Sequence, residues 1–251
     1  MNETNKTQGL NELQSLGVNN GDVVMVHASL KSMAKYNVDP ESIINILLDA
    51  IGSSGTLLMP ALSYQQIPAN IHSTLDTPSN VGAIAEYFRK RAATLRSIHP
   101  THSVCGVGAR VQELLDGHKN DTTPCGQASP FRKILNFDAK IIMLGCGLEP
   151  NTTMHALEEL VDTPYWADDT GLYEYQITDS CGNSYNKKYR KHGFHDKWIQ
   201  RYERLELLSS PELYTSGTVL GAKTFVINSQ ILKKTVVAKL KQEPFFFVDK
   251  K

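Results

Sequence analysis

The sequence predicts a layered α/β fold, in which a sheet is covered by helices. Short apolar runs typical of buried strands alternate with segments that have the caps and spacing of amphipathic helices. The clearest strands are expected at residues 21–30 (GDVVMVHASL), 55–62 (GTLLMPAL) and 141–144 (IIML). No internal repeat or low-complexity linker interrupts the 251 residues, so we expect one domain spanning 1–251.

The first helices are predicted from their ends. An amphipathic helix is expected within residues 2–20. A second begins at Asp39, Pro40 and Glu41. Asp suits the N-cap, Pro suits the first helical position, and Glu suits the positive end of the helix dipole. Gly52 should end this helix.

Turn-forming residues define the elements that follow the second strand. Thr77, Pro78 and Ser79 are expected to cap a third helix, with Ile84 and Phe88 facing inward. The other stretches are predicted as a loop at 64–76, irregular to extended chain at 95–108, a short helix at 109–116, a polar loop at 118–128 and a helix from 129.

The last third of the chain begins with the strand at 141–144, which runs into a helix that Asn151 or Thr152 can cap. After it we expect an aromatic stretch at 163–186 with a turn at 181–183, a stretch at 187–208 that is basic and then helical, a single strand at 217–228 and a final helix at 229–241.

Composition excludes several classes of protein. The 26 basic and 26 acidic residues cancel, which argues against a general nucleic-acid or membrane-surface binder. No apolar run is long enough for a membrane-spanning helix, and the polar N-terminus lacks the core of a signal peptide. The four cysteines form no CxxC pair, so reduced thiols and a cytoplasmic location are expected.

His155 and Glu158 are the first candidate for chemistry. Three residues apart on a helix, they share one face at a strand-to-helix junction, a common position for active sites in open α/β sheets. A carboxylate can orient an imidazole that acts as a base. From spacing alone, a surface pair without function is the commoner interpretation.

The segment 96–108 is the second candidate. His99 and His102 lie three residues apart, but two ligands are too few for a catalytic zinc. His102 with Cys105 suggests a thiol nucleophile, although a buried structural cysteine is more common. We therefore predict no metal site.

The turn after the first strand is the third candidate. Ser29, Lys31 and Ser32 follow a buried strand, and free backbone amides there would suit a pyrophosphate. The chain has neither GxGxxG nor GxxxxGK[ST], so a Rossmann or P-loop site is unsupported. Taken alone, this turn reads as a plain loop.

Charge is unevenly distributed along the chain. Residues 141–186 contain no Lys or Arg but many acidic residues, whereas residues 187–204 are rich in Lys and Arg. An acidic surface beside His155 would attract a cation. The alternative is that the two segments pair with each other on a solvated surface.

In this order, the segments resemble the aminoglycoside 3-N-acetyltransferase family. The most specific strings are Arg-Ser-x-His-Pro-Thr-His-Ser within 95–108 and Asn-Thr-x-x-His-x-x-Glu within 144–159. Five further blocks match: VHASLKSM (26–33), GTLLMPAL (55–62), DTPSNVGAIAEYFRKR (76–91), GQASPFRKI (126–134) and GTVLGAKTFVIN (217–228). The resemblance implies a layered α/β/α sandwich of the antibiotic N-acetyltransferase type.

The resemblance also implies direct transfer of an acetyl group from acetyl-CoA to an amine, with no metal. His155 would be the general base, with Glu158 or Glu174 as the carboxylate beside it. No base lies at fixed spacing from Cys105 or Cys146, which disfavours an acyl-cysteine intermediate. The residues implied in CoA binding are Ser29, Leu30, Lys31, Ser32, Arg96, Ser97, His99, Thr101, Ser103, Val104 and Ser129.

One departure from the family bears on the acceptor. Members that modify drugs have an acidic segment some thirty residues after the histidine, whereas residues 186–195 here read NKKYRKHGFH. Basic side chains would suit an anionic acceptor, so the sequence favours an amino sugar, such as a nucleotide-linked one. An aminoglycoside, with antibiotic resistance as the outcome, is the first alternative, and a catalytically idle CoA-binding relative is the second.

The candidate acceptor contacts are Thr152, Glu174, Arg190 and His192. The expected partners are a small-molecule amine and CoA, without nucleic acid or membrane. A homodimer is compatible with the sequence.

Overall fold

A computed structural model describes residues 1–168, 170–194 and 197–251. Its strands are β1 (Val23–Ala28), β2 (Thr56–Pro60), β3 (Ile71–Ser73), β4 (Leu95–Arg96), β5 (Val104–Gly108), β6 (Ala139–Leu144), β7 (Ala167–Thr178), β8 (Ser184–His192), β9 (Trp198–Gln200), β10 (Tyr214–Val219), β11 (Ala222–Asn228) and β12 (Val248–Lys250). Its helices are α1 (Glu3–Ser15), α2 (Pro40–Ile51), α3 (Ala83–Arg91), α4 (Val111–Leu115), α5 (Pro130–Lys133), α6 (Thr153–Val161), α7 (Phe194–Lys197) and α8 (Ser229–Gln242).

Seven strands form the central sheet, in the order β10-β11-β6-β1-β2-β5-β4. β1 runs parallel to β2 and β6, and the remaining pairs of this sheet are antiparallel. The carboxyl ends of β1, β2 and β6 therefore meet at one edge, where open α/β sheets place their ligands.

Helices cover both faces of the central sheet, which confirms the predicted layered α/β/α arrangement. On β1, Val24 and Val26 pack in the cluster formed with α1, α2 and α3. Val23 and Met25 pack in the other cluster, with α4, α5, α6 and α8. This alternation follows from the two-residue period of a strand. No helix in the described part of the chain is long and apolar enough to cross a membrane.

The caps predicted for α2 are confirmed. Asp39 Oδ1 accepts a hydrogen bond from Ser42 N at 2.8 Å, and Pro40 is the first helical residue. Gly52 follows the helix with φ of +62°. The first predicted helix is also confirmed as α1, where the Asn2 side chain accepts from Asn5 N.

The predicted start of α3 is wrong. Gly82 is its N-cap, and Thr77, Pro78 and Ser79 lie before it. The reason is a long-range contact: the guanidinium of Arg96 donates to the Thr77 carbonyl at 2.6 Å, while Ser79 N donates to Glu86 Oε2 at 2.8 Å. Both contacts hold this segment as a loop.

Three further predictions are wrong because strands were not recognised. Part of the expected loop at 64–76 is β3, which pairs with β7. Residues 187–192, the basic part of the expected stretch at 187–208, belong to β8, the partner of β7, whereas the helical part is present at 202–207 as a 3-10 helix. The expected single strand at 217–228 is the hairpin β10–β11. Its turn has positive φ at Leu220 (+47°) and Gly221 (+73°), as a two-residue hairpin turn requires.

Gly145 lets the end of β6 approach the turn after β1. It adopts φ of +69°, and a β-carbon there would overlap the Ser32 side chain. Gly147 has nearly the same φ, +70°, but a β-carbon there would meet no atom within 4 Å. A comparison of the two glycines therefore distinguishes the cost of a left-handed backbone from the cost of a steric clash with Ser32.

We expect Gly145→Ala to destabilise the protein more than Gly147→Ala. Both variants pay about 1–2 kcal/mol for a left-handed alanine, and only Gly145→Ala must also displace Ser32. Urea unfolding should show an extra loss of about 1–3 kcal/mol for Gly145→Ala. Equal losses for the two variants would show that the approach to Ser32 does not matter.

Four histidines are buried as neutral rings. Burial lowers the pKa of His27, His72 and His118 to about 3, and that of His99 well below its usual value. In the unfolded chain these rings take up protons near pH 6.5. Between about pH 6.5 and 3 the unfolded state binds more protons, so stability present above pH 6.5 is lost as the pH falls.

We expect acidification to destabilise the protein steeply. Each of these buried rings should lower the free energy of unfolding by roughly 2 kcal/mol at pH 5 relative to pH 7.5. The clearest variant is His72→Leu, because neither His72 nitrogen has a hydrogen-bond partner among the described residues. As the pH falls below 6.5, the unfolding free energy of this variant should decrease less steeply than that of the native protein. The difference in slope should correspond to about one bound proton. Identical pH slopes would contradict a neutral buried His72.

Candidate active site

The site lies where β6 passes into α6. Asn151 supplies the side-chain cap, since its Oδ1 accepts from Thr153 N at 3.2 Å, whereas Thr152 forms no side-chain cap bond. His155 and Glu158 follow on one face, as their spacing predicts. The imidazole is partly buried and the carboxylate fully buried, so the pair is not a surface pair.

Glu158 is the centre of a hydrogen-bond network. Its Oε2 lies 3.1 Å from His155 Nδ1 and accepts from the Tyr202 hydroxyl at 2.7 Å. Its Oε1 accepts from the Tyr165 hydroxyl at 3.0 Å. A buried carboxylate is tolerated only when such donors satisfy it.

The network assigns the proton of neutral His155 to Nδ1. This nitrogen lies 2.8 Å from the Tyr202 oxygen, and that hydroxyl donates its own proton to Glu158. The lone pair of the ring is then on Nε2, which is 3.3 Å from the Gln200 side-chain amide. Nε2 can accept a proton while Glu158 stabilises the resulting cation.

The two tyrosines remain donors at physiological pH. Burial raises the pKa of Tyr202 well above its usual range, and the neighbouring Glu158 raises it further. The same two causes raise the pKa of Tyr165. Both hydroxyls therefore stay protonated and keep the Glu158 carboxylate in place.

A second imidazole–carboxylate pair adjoins the first. His192 Nε2 lies 2.8 Å from Glu159 Oε1, and Cys125 N donates to the same oxygen at 2.8 Å. The ring of His192 lies 4.6 Å from that of His155. His192, expected as an acceptor contact, is thus largely enclosed and directly beside His155.

Cys125, Glu159 and His192 are also the group of described residues whose donor atoms could surround a metal ion, all within 4.8 Å. The Glu159–His192 separation is a hydrogen-bond distance, shorter than adjacent ligands around zinc. Burial raises the pKa of the Cys125 thiol well above its usual value, which keeps the thiol protonated. We assign the three residues to hydrogen bonding and packing.

Two cavities adjoin the carboxyl ends of β1 and β2. The larger, about 690 Å³, is lined by Ser29, Leu30 and Lys31 and by the start of α3. The smaller, about 220 Å³, is lined by Thr152 among other residues, and Ala28 and Val81 line both. Three predicted cofactor contacts and one predicted acceptor contact therefore border two neighbouring cavities.

Arg96 is directed inward rather than into these cavities. Its guanidinium donates to Ser103 Oγ at 2.8 Å and to the Ala61 carbonyl at 3.0 Å. Ser97 Oγ accepts from Val104 N at 2.9 Å. Arg96, Ser97, Ser103 and Val104, all implied in CoA binding by the resemblance, support the loops, and none of them lines either cavity.

The other predicted cofactor residues are likewise held by internal contacts or buried. His99 Nδ1 accepts from Thr101 N at 3.2 Å and from His102 N at 2.9 Å. Ser129 is buried at the start of α5. A role of these residues in CoA binding stays a prediction.

Glu174 lies away from the dyad. It is exposed on β7, directly across from Lys188 on β8. The carboxylate beside His155 is therefore Glu158, which resolves the alternative that the sequence leaves open.

The basic segment of β8 is engaged within its own surroundings. Lys187 Nζ donates to the Asp121 carbonyl at 2.8 Å, and Lys191 Nζ lies 3.6 Å from the centre of the Tyr173 ring. Arg190 is exposed, and its guanidinium lies 5.9 Å from the Trp166 ring. The acidic residues of β7 and the basic residues of β8 thus belong to one hairpin, with Glu174 directly across from Lys188, while the contacts of Lys187, Arg190 and Lys191 are to a carbonyl and aromatic rings.

Sequence reasoning missed four side chains of the site. Tyr165, Gln200 and Tyr202 bond with the dyad, and the Phe194 ring stacks on His155 with 4.7 Å between centres. No local motif marks them, because a hairpin separates three of them from α6 in the chain.

Gln200 and Tyr202 are positioned by the end of the chain. β9, which ends at Gln200, pairs with β12, and Val248 is the partner of Gln200. Arg201 Nε lies 2.7 Å from Asp249 Oδ2, and Arg201 N donates to the Phe247 carbonyl at 2.8 Å. The last residues of the chain thus fix two contacts of His155.

Comparison with known sequences identifies relatives over most of the chain. Residues 25–241 match the profile of the family described as aminoglycoside 3-N-acetyltransferase. Aminoglycoside N(3)-acetyltransferase IV of Salmonella sp. is 25% identical over 247 residues, 98% of this chain and 91% of that protein. Aminoglycoside N(3)-acetyltransferase VII of Streptomyces paromomycinus is 29% identical over 178 residues, 63% of this chain and 62% of that protein.

Solved structures with the same fold agree. Aminoglycoside acetyltransferase AAC(3)-IVa, crystallised as a histidine-to-alanine mutant in complex with a gentamicin, has a TM-score of 0.82 at 25% identity, with 96% of this chain and 90% of that chain covered. AAC-IIIb in a binary complex with CoASH has a TM-score of 0.79 at 22% identity, with coverages of 94% and 96%. At this identity the second similarity shows the fold alone.

We expect Tyr202→Phe to destabilise the protein by about 2 kcal/mol, because a fully buried carboxylate loses a charged hydrogen bond. The matched control is Tyr189→Phe, since the Tyr189 hydroxyl is buried without a hydrogen-bond partner among the described residues. The control should change the unfolding free energy by less than about 0.5 kcal/mol. Equal effects in urea unfolding would argue against the Glu158 network.

Proposed function

Because the chain belongs to the aminoglycoside 3-N-acetyltransferase family, we propose that it transfers the acetyl group of acetyl-CoA to an amino group of an aminoglycoside. The observation that carries the proposal is the His155–Glu158 pair, held by Tyr165 and Tyr202. We also propose that residues 1–251 act as one N-acetyltransferase domain, with antibiotic resistance as the biological outcome.

The pair supplies a base for direct attack. The ammonium form of the acceptor first loses one proton to solvent, because only the free amine can attack the thioester. The attacking nitrogen then becomes positively charged, so a group must accept its second proton. His155 Nε2 accepts it while the carbon–nitrogen bond forms. The carbon–sulfur bond then breaks, and CoA leaves as a thiol with the proton returned by the imidazolium. Glu158 stabilises that imidazolium between the two steps.

The two cavities suit the donor. In this proposal, the pyrophosphate of acetyl-CoA lies at the turn formed by Ser29, Leu30, Lys31 and Ser32, where backbone amides and a lysine favour an anion. The thioester occupies the smaller cavity, beside Thr152 at the start of α6. Arg96 and its neighbours act by holding the adjacent loops.

Family membership and the contacts of β8 support an aminoglycoside as the acceptor. The sequence favours an anionic acceptor because residues 186–195 are basic. Lys187 contacts a carbonyl, Lys191 contacts an aromatic ring, and neither lines the two cavities, so the basic segment gives little support for an anion there. The AAC(3)-IVa mutant has been solved in complex with a gentamicin and with apramycin, which supports an aminoglycoside here.

We expect His155→Ala to lower the rate of acetyl transfer by roughly 10²–10⁴-fold, because the amine loses its base. Binding of CoA, measured by calorimetry, should change little. Glu158→Gln should also lower kcat, whereas Glu174→Gln serves as the matched control and should stay within about twofold, since its carboxylate is exposed on β7. Unchanged turnover of His155→Ala would exclude it as the base.

The acceptor is tested by release of free CoA thiol in the presence of gentamicin, apramycin and nucleotide-linked amino sugars, assayed side by side. Transfer to the aminoglycosides is the expected result. Transfer only to the nucleotide-linked sugars would overturn the acceptor while keeping the reaction. CoA binding without transfer to any amine would identify a catalytically idle relative.

A further inference from the structure

His27 is a buried imidazole directed toward the smaller cavity. It is the penultimate residue of β1, and it lines this space of about 220 Å³ together with Thr152 and Cys146. Its Nε2 atom is buried and has no hydrogen-bond partner among the described residues. A buried polar atom without a partner is costly, and it points to a ligand that supplies one.

Acyl transfer needs a group of this kind. When an amine attacks a thioester, negative charge develops on the carbonyl oxygen, and a fixed donor in a water-poor site stabilises it. We propose that His27, as the Nε2–H tautomer, donates a hydrogen bond to the carbonyl oxygen of the acetyl thioester. This inference rests on the proposed function, and it makes His27 a catalytic residue.

The cavity has the size and position for this role. Its volume equals that of about seven water molecules, which leaves room for an acetyl thioester. It shares Ala28 and Val81 with the larger cavity that Ser29 lines, and Thr152 on its wall lies one turn before His155. A thioester there would have His27 and the α6 dyad within one site.

His27 is suited to donate rather than to exchange protons. Burial and, as a smaller contribution, the charge on His155 lower its pKa to about 3, so the ring stays neutral during turnover. The two histidines then have separate tasks: His155 Nε2 accepts the proton of the amine, and His27 Nε2–H binds the oxyanion. When the intermediate collapses, the electron pair returns to the carbonyl and the carbon–sulfur bond breaks.

The backbone around His27 is rigid. The residue is paired with Met143 on β6, in the middle of the central sheet. Its carbonyl accepts a hydrogen bond from Cys146 Sγ at 3.4 Å. A donor on a central strand needs little reorganisation during the reaction, which is the condition for electrostatic stabilisation.

The test is His27→Leu, which removes the donor and keeps an apolar side chain in the space. We expect kcat to fall by about 10²–10³-fold, while calorimetric CoA affinity stays within about threefold. His27→Gln can place an amide near the lost nitrogen and should recover at least about tenfold of kcat. If His27→Leu fails to fold, His27→Asn, whose shorter side chain cannot reach as far, takes its place against His27→Gln.

The matched control is His72→Leu, which also replaces a buried neutral histidine but does not line either cavity. Its kcat should stay within about twofold of the native value at pH 7.5. A folded His27→Leu variant with nearly native kcat would overturn the inference about His27. If His155→Ala is inactive in the same assay, the proposed function still stands. Absence of transfer by the native protein would overturn both.

Discussion

The carboxylate of Glu158 is the interaction on which the rest of the site depends. It is fully buried, and its partners come from three places: His155 from the same helix, Tyr165 from the loop after it, and Tyr202 from beyond the β7–β8 hairpin. Removing an unpaired carboxylate from water costs several kcal/mol, so the folded state is favoured only when these donors arrive together. Folding of the hairpin and of the segment after β9 is thereby coupled to the orientation of the base. The same contacts that stabilise the buried charge fix the tautomer of His155.

The end of the chain belongs to this arrangement. The family profile ends at residue 241, whereas β12 lies beyond it and pairs with β9. The Asp249 carboxylate lies 2.7 Å from Arg201 Nε and 2.5 Å from Arg204 Nη2. Tyr202 lies between these two arginines in the sequence. Because exposed ion pairs contribute little individually, their effect here is positional: they hold the strand pair that places Gln200 and Tyr202. The geometry of the base therefore depends on residues that a comparison of family motifs does not reach.

The sequence predicts local features well and distant ones poorly. The caps of α2 and the shared face of His155 and Glu158 follow from spacing within one helix, and both are present. The start of α3 was misplaced because Arg96, well outside the helix, holds Thr77 in a loop. The β7–β8 hairpin is not recognised from the sequence because lysines occupy both faces of β8. Lys187 lies with Tyr189 on the more buried face, and Lys188 lies on the exposed face, so the segment looks uniformly basic. Tyr202 reaches the dyad only through that topology, and no local pattern could place it.

Charge in the folded protein differs from charge along the sequence for the same reason. Consecutive residues on a helix face different directions, so Glu158 turns to His155 while Glu159 turns to His192, and the two rings lie 4.6 Å apart. Burial raises the pKa of Glu159, and the hydrogen bond from Cys125 N opposes that effect. Lys187 and Lys191 of β8, which precede His192 in the sequence, contact the Asp121 carbonyl and the Tyr173 ring. Among the acidic and basic groups, carboxylates rather than lysines are therefore in contact with the two adjoining imidazole rings. For the acceptor proposed above, carboxylates beside these rings are electrostatically more compatible with an ammonium group than with a diphosphate.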